Sequence, residues 1–173
     1  MKDVEFVGNL IIEKDKKTFV VDEKVILDFK NIYSNLETGG VLYGYKVRDK
    51  EEYIVLGCTF SQPTDIKTNY IFQRNDPNHF KIINDIWEHD NATMYYGDWH
   101  FHPVNTVSPS SQDFKSFIKI CEKTNTSSKY IINIITARKE LRIYIYDKRK
   151  KKIFVEYNYQ FGGDIDGKNS KIS

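Results

Sequence analysis

Apolar and polar positions alternate loosely over Val4 to Glu13 and again over Thr18 to Val21, with Lys14-Asp15-Lys16-Lys17 between them as a turn, so two strands open the chain. Asp22 can cap a following helix in which Val25, Phe29, Ile32, Tyr33 and Leu36 recur at helical spacing, an amphipathic stripe about three to four turns long. Val41 to Tyr45 reads as a buried strand, and Tyr53 to Phe60 pairs naturally with it. Ser61 to Arg74 has no sustained period and contains Pro63, Asp65 and Asn69, which predicts a long ordered loop. Asn75-Asp76-Pro77 then opens a second helix whose apolar face is Phe80, Ile83, Ile86 and Trp87.

A strand follows from Met94 through His100 and His102 and stops at Pro103, which has no N–H to give to a ladder. Ser108-Pro109-Ser110-Ser111 starts a third helix, with Phe114, Phe117, Ile118 and Cys121 at i, i+3, i+4 and i+7. Tyr130 to Ile135 is nearly continuously apolar, as a central strand is. Leu141 to Tyr146 and Ile153 to Tyr157 alternate with period two on either side of Asp147-Lys148-Arg149-Lys150-Lys151-Lys152. That basic run reads as a solvated hairpin tip rather than a nucleic-acid patch, because no aromatic or second basic cluster accompanies it in the sequence.

Composition narrows the picture further. With 173 residues, 40% hydrophobic and 14% aromatic, the chain fills one core, so a single domain over residues 1–160 is expected, with a Gly-rich polar tail over 161–173 that frays. No repeat and no Pro/Gly/Ser-rich linker divides it. The net charge of +2 gives no global reason to expect nucleic acid or an anionic membrane as partner. No apolar run is long enough to span a bilayer and Met1-Lys2-Asp3-Val4 lacks the layout of a signal peptide, so a cytoplasmic location is expected. Cys58 and Cys121 are too few for a disulfide scaffold and read as small buried residues. His79 and His89 have no partner at ligand spacing and take surface or packing roles.

Chemistry concentrates in Gly97 to Asp113. On a strand, His100 and His102 point to one face about 6.5 to 7 Å apart, close enough for both imidazoles to reach one ion, while Trp99 and Phe101 face the other way. Asp113 sits in the first turn of the third helix, one turn after Ser110, so a single helix end aims both at the same spot. Two imidazoles and one carboxylate, with a fourth position for water, is the ligand count of catalytic zinc. A capping box explains Ser110 and Asp113 without any chemistry, and a His-x-His on a strand is often only a polar face.

The arrangement His100-x-His102, seven residues, Ser110-x-x-Asp113, with Glu37 upstream in Glu37-Thr38-Gly39-Gly40-Val41-Leu42-Tyr43-Gly44, resembles the JAMM (MPN-plus) zinc metalloproteases. The phrases Gly97-Asp98-Trp99-His100-Phe101-His102-Pro103, Gln62-Pro63-Thr64-Asp65 and Phe72-x-Arg74, and the helix with Trp87, are similar to the bacterial branch. Within it they look like the deconjugating peptidases encoded beside E1/E2-like enzymes in CBASS-type antiphage operons. The likeness runs from about Val20 to about Tyr146, and Phe101 stands where relatives often carry Ser or Thr.

The resemblance implies an α+β (α/β/α-like) JAB/MPN fold of the cytidine-deaminase type, a central mixed sheet flanked by about three helices. It implies one catalytic Zn2+ on His100, His102 and Asp113, Glu37 as the base, and Ser110 as a hydrogen-bond donor to the tetrahedral intermediate. The implied reaction is hydrolysis of the amide bond after the C-terminal glycine of a ubiquitin-like protein, with E1/E2-like enzymes as associated partners. The Ser61–Arg74 loop would help dock substrate, with Arg74 holding a carboxylate or carbonyl there or forming an ordinary salt bridge. Processing of a sulfur-carrier protein and a non-catalytic MPN scaffold are the alternatives. Zinc deaminases are excluded, since the His-x-Glu and Pro-Cys-x-x-Cys elements are missing.

Overall fold

The strand Tyr130–Thr136 shows no polar alternation because both of its faces are covered: all seven of its residues are buried. Ile132 and Ile134 point into one core with Trp99, Phe101 and Phe29, while Ile131 and Ile135 point into a second with Phe117, Cys121 and Tyr144. In the computed structural model, which describes residues 8–162, this strand is β8 of the order β1 (Leu10–Lys14), β2 (Lys17–Val21), α1 (Glu23–Lys30), β3 (Thr38–Lys46), β4 (Glu52–Cys58), β5 (Ile66–Lys67), β6 (Phe72–Gln73), α2 (Asn78–Asp90), β7 (Met94–Phe101), α3 (Ser111–Lys123), β8, β9 (Glu140–Asp147) and β10 (Lys152–Gln160). The large sheet runs β1-β2-β4-β3-β7-β8-β9-β10. Its β2/β4 and β7/β8 pairs are parallel and the rest antiparallel, the mixed sheet the sequence predicts. The sheet curls on itself, so that Phe19 of β2 meets Tyr130 of β8 edge-on at 5.1 Å and Phe154 of β10 at 6.2 Å.

α1 buries Val25, Ile26 and Phe29 against the first core, and α3 buries Phe117 and Cys121 against the second. Asp22 caps α1 as expected, accepting from the N–H of Lys24 at 2.9 Å. The helix is shorter than its stripe suggests, however, and ends at Lys30. Ser34 explains the stop: its hydroxyl donates to the carbonyl of Leu36 at 2.7 Å and accepts the Leu36 N–H at 3.0 Å, a local turn that competes with helix. Tyr33 is therefore 97% exposed instead of lying in the core.

Other expectations need similar correction. Of the expected apolar face of α2 only Ile83 is buried, while Phe80 and Trp87 stand largely in solvent; His79 is the other buried residue of the helix. Ser61 to Arg74 is not wholly irregular, since β5 and β6 form a two-stranded hairpin within it. Cys58 is half-buried, and Cys121 is buried. The expected Val4–Val7 part of the first strand and most of the fraying tail lie outside the described residues.

β7 carries the device that aims the site. Leu42 pairs with Gly97 and Tyr43 with Tyr95, leaving Tyr96 as an extra residue in a β-bulge. The bulge shifts the alternation, so Tyr96 and Trp99 both enter the first core and Asp98 and His100 fall on the other face. Gly97 is required there: its φ is +148°, and a Cβ would lie 1.8 Å from the Ile132 carbonyl oxygen. Gly97→Ala is expected to lower stability by about 2–4 kcal/mol in urea unfolding, combining backbone strain with the clash.

Candidate metal centre

The antiparallel register of β3 against β7, with Thr38 opposite Phe101, brings Glu37 one step beyond the ladder to the side of His102. His102 lies just past the end of β7, fixed by its N–H to the Thr136 carbonyl at 2.9 Å. The two imidazole centroids are 4.7 Å apart. From the far side comes the first turn of α3, where Ser110 is the N-cap: its Oγ accepts the Asp113 N–H at 3.1 Å, and Asp113 Oδ2 accepts the Ser110 N–H at 2.6 Å and its hydroxyl at 2.8 Å. The capping box thus also fixes Asp113, one of the three candidate metal ligands. The cap clamps the carboxylate so that Oδ1 faces His100 Nε2 at 3.5 Å and Oδ2 lies 3.8 Å from His102 Nε2.

Ligand-capable atoms of His100, His102 and Asp113 all lie within 4.8 Å of one another. Both Nε2 atoms are buried and neither has a hydrogen-bond partner. Leaving such groups unpaired costs about 1–3 kcal/mol each, and two of them aimed at one carboxylate satisfy the donor set of a divalent transition metal. Burial, joined by the facing His100, pulls the His102 imidazole down to about 4 against the pull of Asp113, so its nitrogen keeps a free lone pair at neutral pH. Burial would raise Asp113, but the His100 imidazole and the Ser110 N–H and hydroxyl outweigh it and hold the carboxyl well below the usual range. Zinc fits these residues.

Glu37 Oε1 is 3.8 Å from His102 Nε2. Its N–H donates to the Thr68 carbonyl at 2.8 Å, and its carboxylate accepts the N–H of Phe72, so the β5–β6 hairpin grips it at both ends. Burial pushes its carboxyl up, helped by Asp113 and opposed by His100 and the Phe72 N–H. A cleft of about 560 Å³ opens over the centre between Tyr70–Arg74 and α3, with Asp98, His100 and Asn133 among its lining residues.

The model of the family described as prokaryotic homologs of the JAB domain matches residues 22–146. The chain belongs to this family. Its mixed sheet and three helices are accordingly the α+β JAB/MPN fold. Curated relatives named CD-NTase/cGAS isopeptidase are 28% identical over 51% of this chain in Enterobacter hormaechei, 28% over 64% in Escherichia coli and 27% over 81% in Vibrio cholerae. These matches span 48%, 68% and 87% of the relatives, so the chain aligns with only about half of the first. The solution structure of protein DSY2949 from Desulfitobacterium hafniense has a TM-score of 0.48 and 15% identity, covering 79% of this chain and 88% of that one.

Two features of this JAB domain escape a reading of its motifs. Asp98, two residues before His100 on the same face, is 3.4 Å from Arg74 Nε, and Arg74 also lies 4.8 Å over the Phe80 ring. Of the roles open to Arg74, the salt bridge is the one formed; the period-two spacing of Asp98, His100 and His102 was the available signal. The second is a buried chain from Thr59 through His79 to Asp65. The Thr59 carbonyl accepts the Trp99 Nε1–H at 2.9 Å and its Oγ1 accepts the Val41 N–H at 3.0 Å, and Oγ1 also meets His79 Nδ1 at 2.5 Å. His79 Nε2 in turn meets Asp65 Oδ2 at 2.7 Å. The order hydroxyl–imidazole–carboxylate is that of a nucleophile relay, but His79 and Asp65 side chains are both 0% exposed, so no substrate reaches them. Their role is to pin the loop that carries the Glu37-gripping hairpin, and no short-range motif marks it.

Burial would raise Asp65, but the N–H groups of Gln62, Asp76 and Asn75 and the His79 ring bring it down to about 2. A depressed carboxyl stabilises the fold above its ordinary 3.8 and loses that contribution as pH falls toward 2. Asp65→Asn is therefore expected to be less stable at neutral pH, and across that acid window its stability should vary less steeply than wild type, by up to about 1.4 kcal/mol per pH unit in urea titrations.

Proposed function

We propose that this JAB domain is a zinc-dependent isopeptidase that hydrolyses the amide bond following the C-terminal glycine of a ubiquitin-like protein. The observation that carries the reading is the pair of buried, unpartnered imidazole nitrogens facing Asp113, with the carboxylate of Glu37 beside them. The curated relatives carry the name isopeptidase, which supports the same bond class. The cleft between Tyr70–Arg74 and α3 suits an extended tail. E1/E2-like enzymes are the proposed source of the conjugate.

His100, His102 and Asp113 would hold the ion. Bound zinc supplies a Lewis acid that lowers the pKa of water from about 15.7 toward about 7. Glu37 takes one proton from the attacking water and delivers it to the nitrogen of the leaving amine as the C–N bond breaks, the new C–O bond having come from that water. The grip of Thr68 and Phe72 on Glu37 keeps its carboxylate aimed while the proton moves. Ser110, whose hydroxyl rests on Asp113 Oδ2, turns to donate to the oxygen of the tetrahedral intermediate.

A fusion of a candidate ubiquitin-like protein to a reporter, incubated with the full chain, tests this directly. Cleavage is expected after the terminal glycine and is abolished by chelation and restored by added zinc. Glu37→Ala should abolish cleavage with zinc still bound. Asp113→Ala should abolish it by weakening zinc binding, measured by competition with a chromophoric chelator. Ser110→Ala should lower kcat by about 100- to 1000-fold. Because Glu37 must be ionised, kcat/KM should fall on the acid side as its carboxylate is protonated. Near-normal activity in Glu37→Ala would remove the base from the mechanism.

A further inference from the structure

Two basic turns far apart in sequence come together at one end of the sheet. The β1–β2 turn supplies Lys14, Lys16 and Lys17, and the β9–β10 turn supplies Lys148, Arg149, Lys150, Lys151 and Lys152. They meet over Phe154, whose centroid lies 5.4 Å from Lys14 Nζ, 5.7 Å from Lys17 Nζ and 5.8 Å from Lys150 Nζ. No two of these ammonium groups can then be more than about 11.5 Å apart. Cation–π attraction to a shared, buried ring is what holds like charges this close.

Two of the acids at this end, Asp147 and Glu51, are committed elsewhere, and Asp15 lies within the β1–β2 turn itself. Asp147 Oδ1 accepts the N–H groups of Arg149 and Lys150, and Glu51 is bound by Tyr53, Lys46 and Lys129. Among the described residues, Lys14, Lys16, Lys17 and Lys150 to Lys152 form no ion pair. With Asp15 and Asp147 counted, the two turns carry a net +6 against +2 for the chain, so all other residues together total −4; the Lys148 ammonium is itself engaged by the Thr124 and Thr126 carbonyls. The 147–152 run has no second basic cluster or aromatic beside it in the sequence; the fold brings both to it.

We propose that this end is a sequence-independent binding surface for the phosphodiester backbone of nucleic acid. Duplex DNA carries one charge per about 1.7 Å of axis, the charge density that so compact a group of cations matches, and neutralising it releases condensed counterions. Phe154 is buried against Phe19 and Tyr130 and offers no open face for base stacking, so the contact is with phosphates alone. The surface lies at the opposite end of the strands from the metal centre: β3 begins beside Glu37 at Thr38 and ends at Lys46, a span of about 26 Å. Nucleic acid held there leaves the cleft open, and the proposal does not depend on the peptidase reading.

Fluorescence anisotropy of a labelled 20-base-pair DNA duplex, titrated with the full chain, tests it. Binding in the micromolar range is expected at 50 mM salt, weakening about 100-fold at 200 mM, as for about four neutralised phosphates. The variants Lys150→Gln/Lys151→Gln/Lys152→Gln and Lys14→Gln/Lys16→Gln/Lys17→Gln should each weaken binding at least tenfold, while Lys81→Gln on α2 leaves it unchanged. Should a triple variant fail to fold, Lys17→Gln and Lys150→Gln singly should each reduce the salt slope by about 1. Absence of binding at 50 mM salt, or equal loss in Lys81→Gln, would overturn the proposal. Displacement by polyglutamate as effective as by unlabelled DNA would also overturn it, assigning the surface to an acidic protein.

Discussion

The structure depends on two imidazole nitrogens that the fold buries and leaves without a partner, turned toward a carboxylate that an N-terminal helix cap holds still. Each step of the architecture serves that meeting. The bulge at Gly97 decides which face of β7 carries His100, the β3–β7 register brings Glu37 alongside His102, and the Ser110 cap fixes Asp113. A small helical device worth about 1 kcal/mol in an ordinary helix here also orients Asp113 toward the two imidazoles.

Two buried carboxylates steady the loops on either side of this centre. Glu140 accepts the Val107 N–H at 2.6 Å and fixes the segment between His102 and Ser110. Asp65, through His79 and Thr59, fixes the segment that bears the Glu37-gripping hairpin. Thr59 is the junction, since its three polar groups reach β3, the Trp99 indole of β7 and His79 of α2. The candidate site's side chains thus come from strand ends and a helix end, but the stiffness of the site comes from buried polar groups.

Period and motif made much of this visible in the sequence. The all-apolar 130–135 run, the alternation in β9 and β10, and the 114–121 helical stripe each depend on local spacing, and each stands where it was expected. The cluster of His100, His102 and Asp113 is legible because strand and helix-cap geometry fix the directions of these side chains within a few residues. What failed was set by distant partners. Tyr33 and Leu36 continue the α1 stripe perfectly well, yet the chain must turn at Ser34 to enter β3, and tertiary demand outweighs periodicity. Phe80 and Trp87 match a helical face that no sheet residue fully covers. The pairing of Asp65 with His79 and the meeting of Lys14, Lys17 and Lys150 over Phe154 join residues that only the folded sheet makes neighbours.

Metal analysis combined with zinc-edge X-ray absorption on the purified chain addresses the central claim most directly. The account predicts one zinc per chain, with two imidazole nitrogens at about 2.0–2.1 Å and oxygen ligands at about 2.0–2.2 Å, and loss of the metal when His102 is replaced by Gln. A chain that retains no zinc, shows sulfur among its ligands, or keeps the same zinc signal without His102 would contradict it.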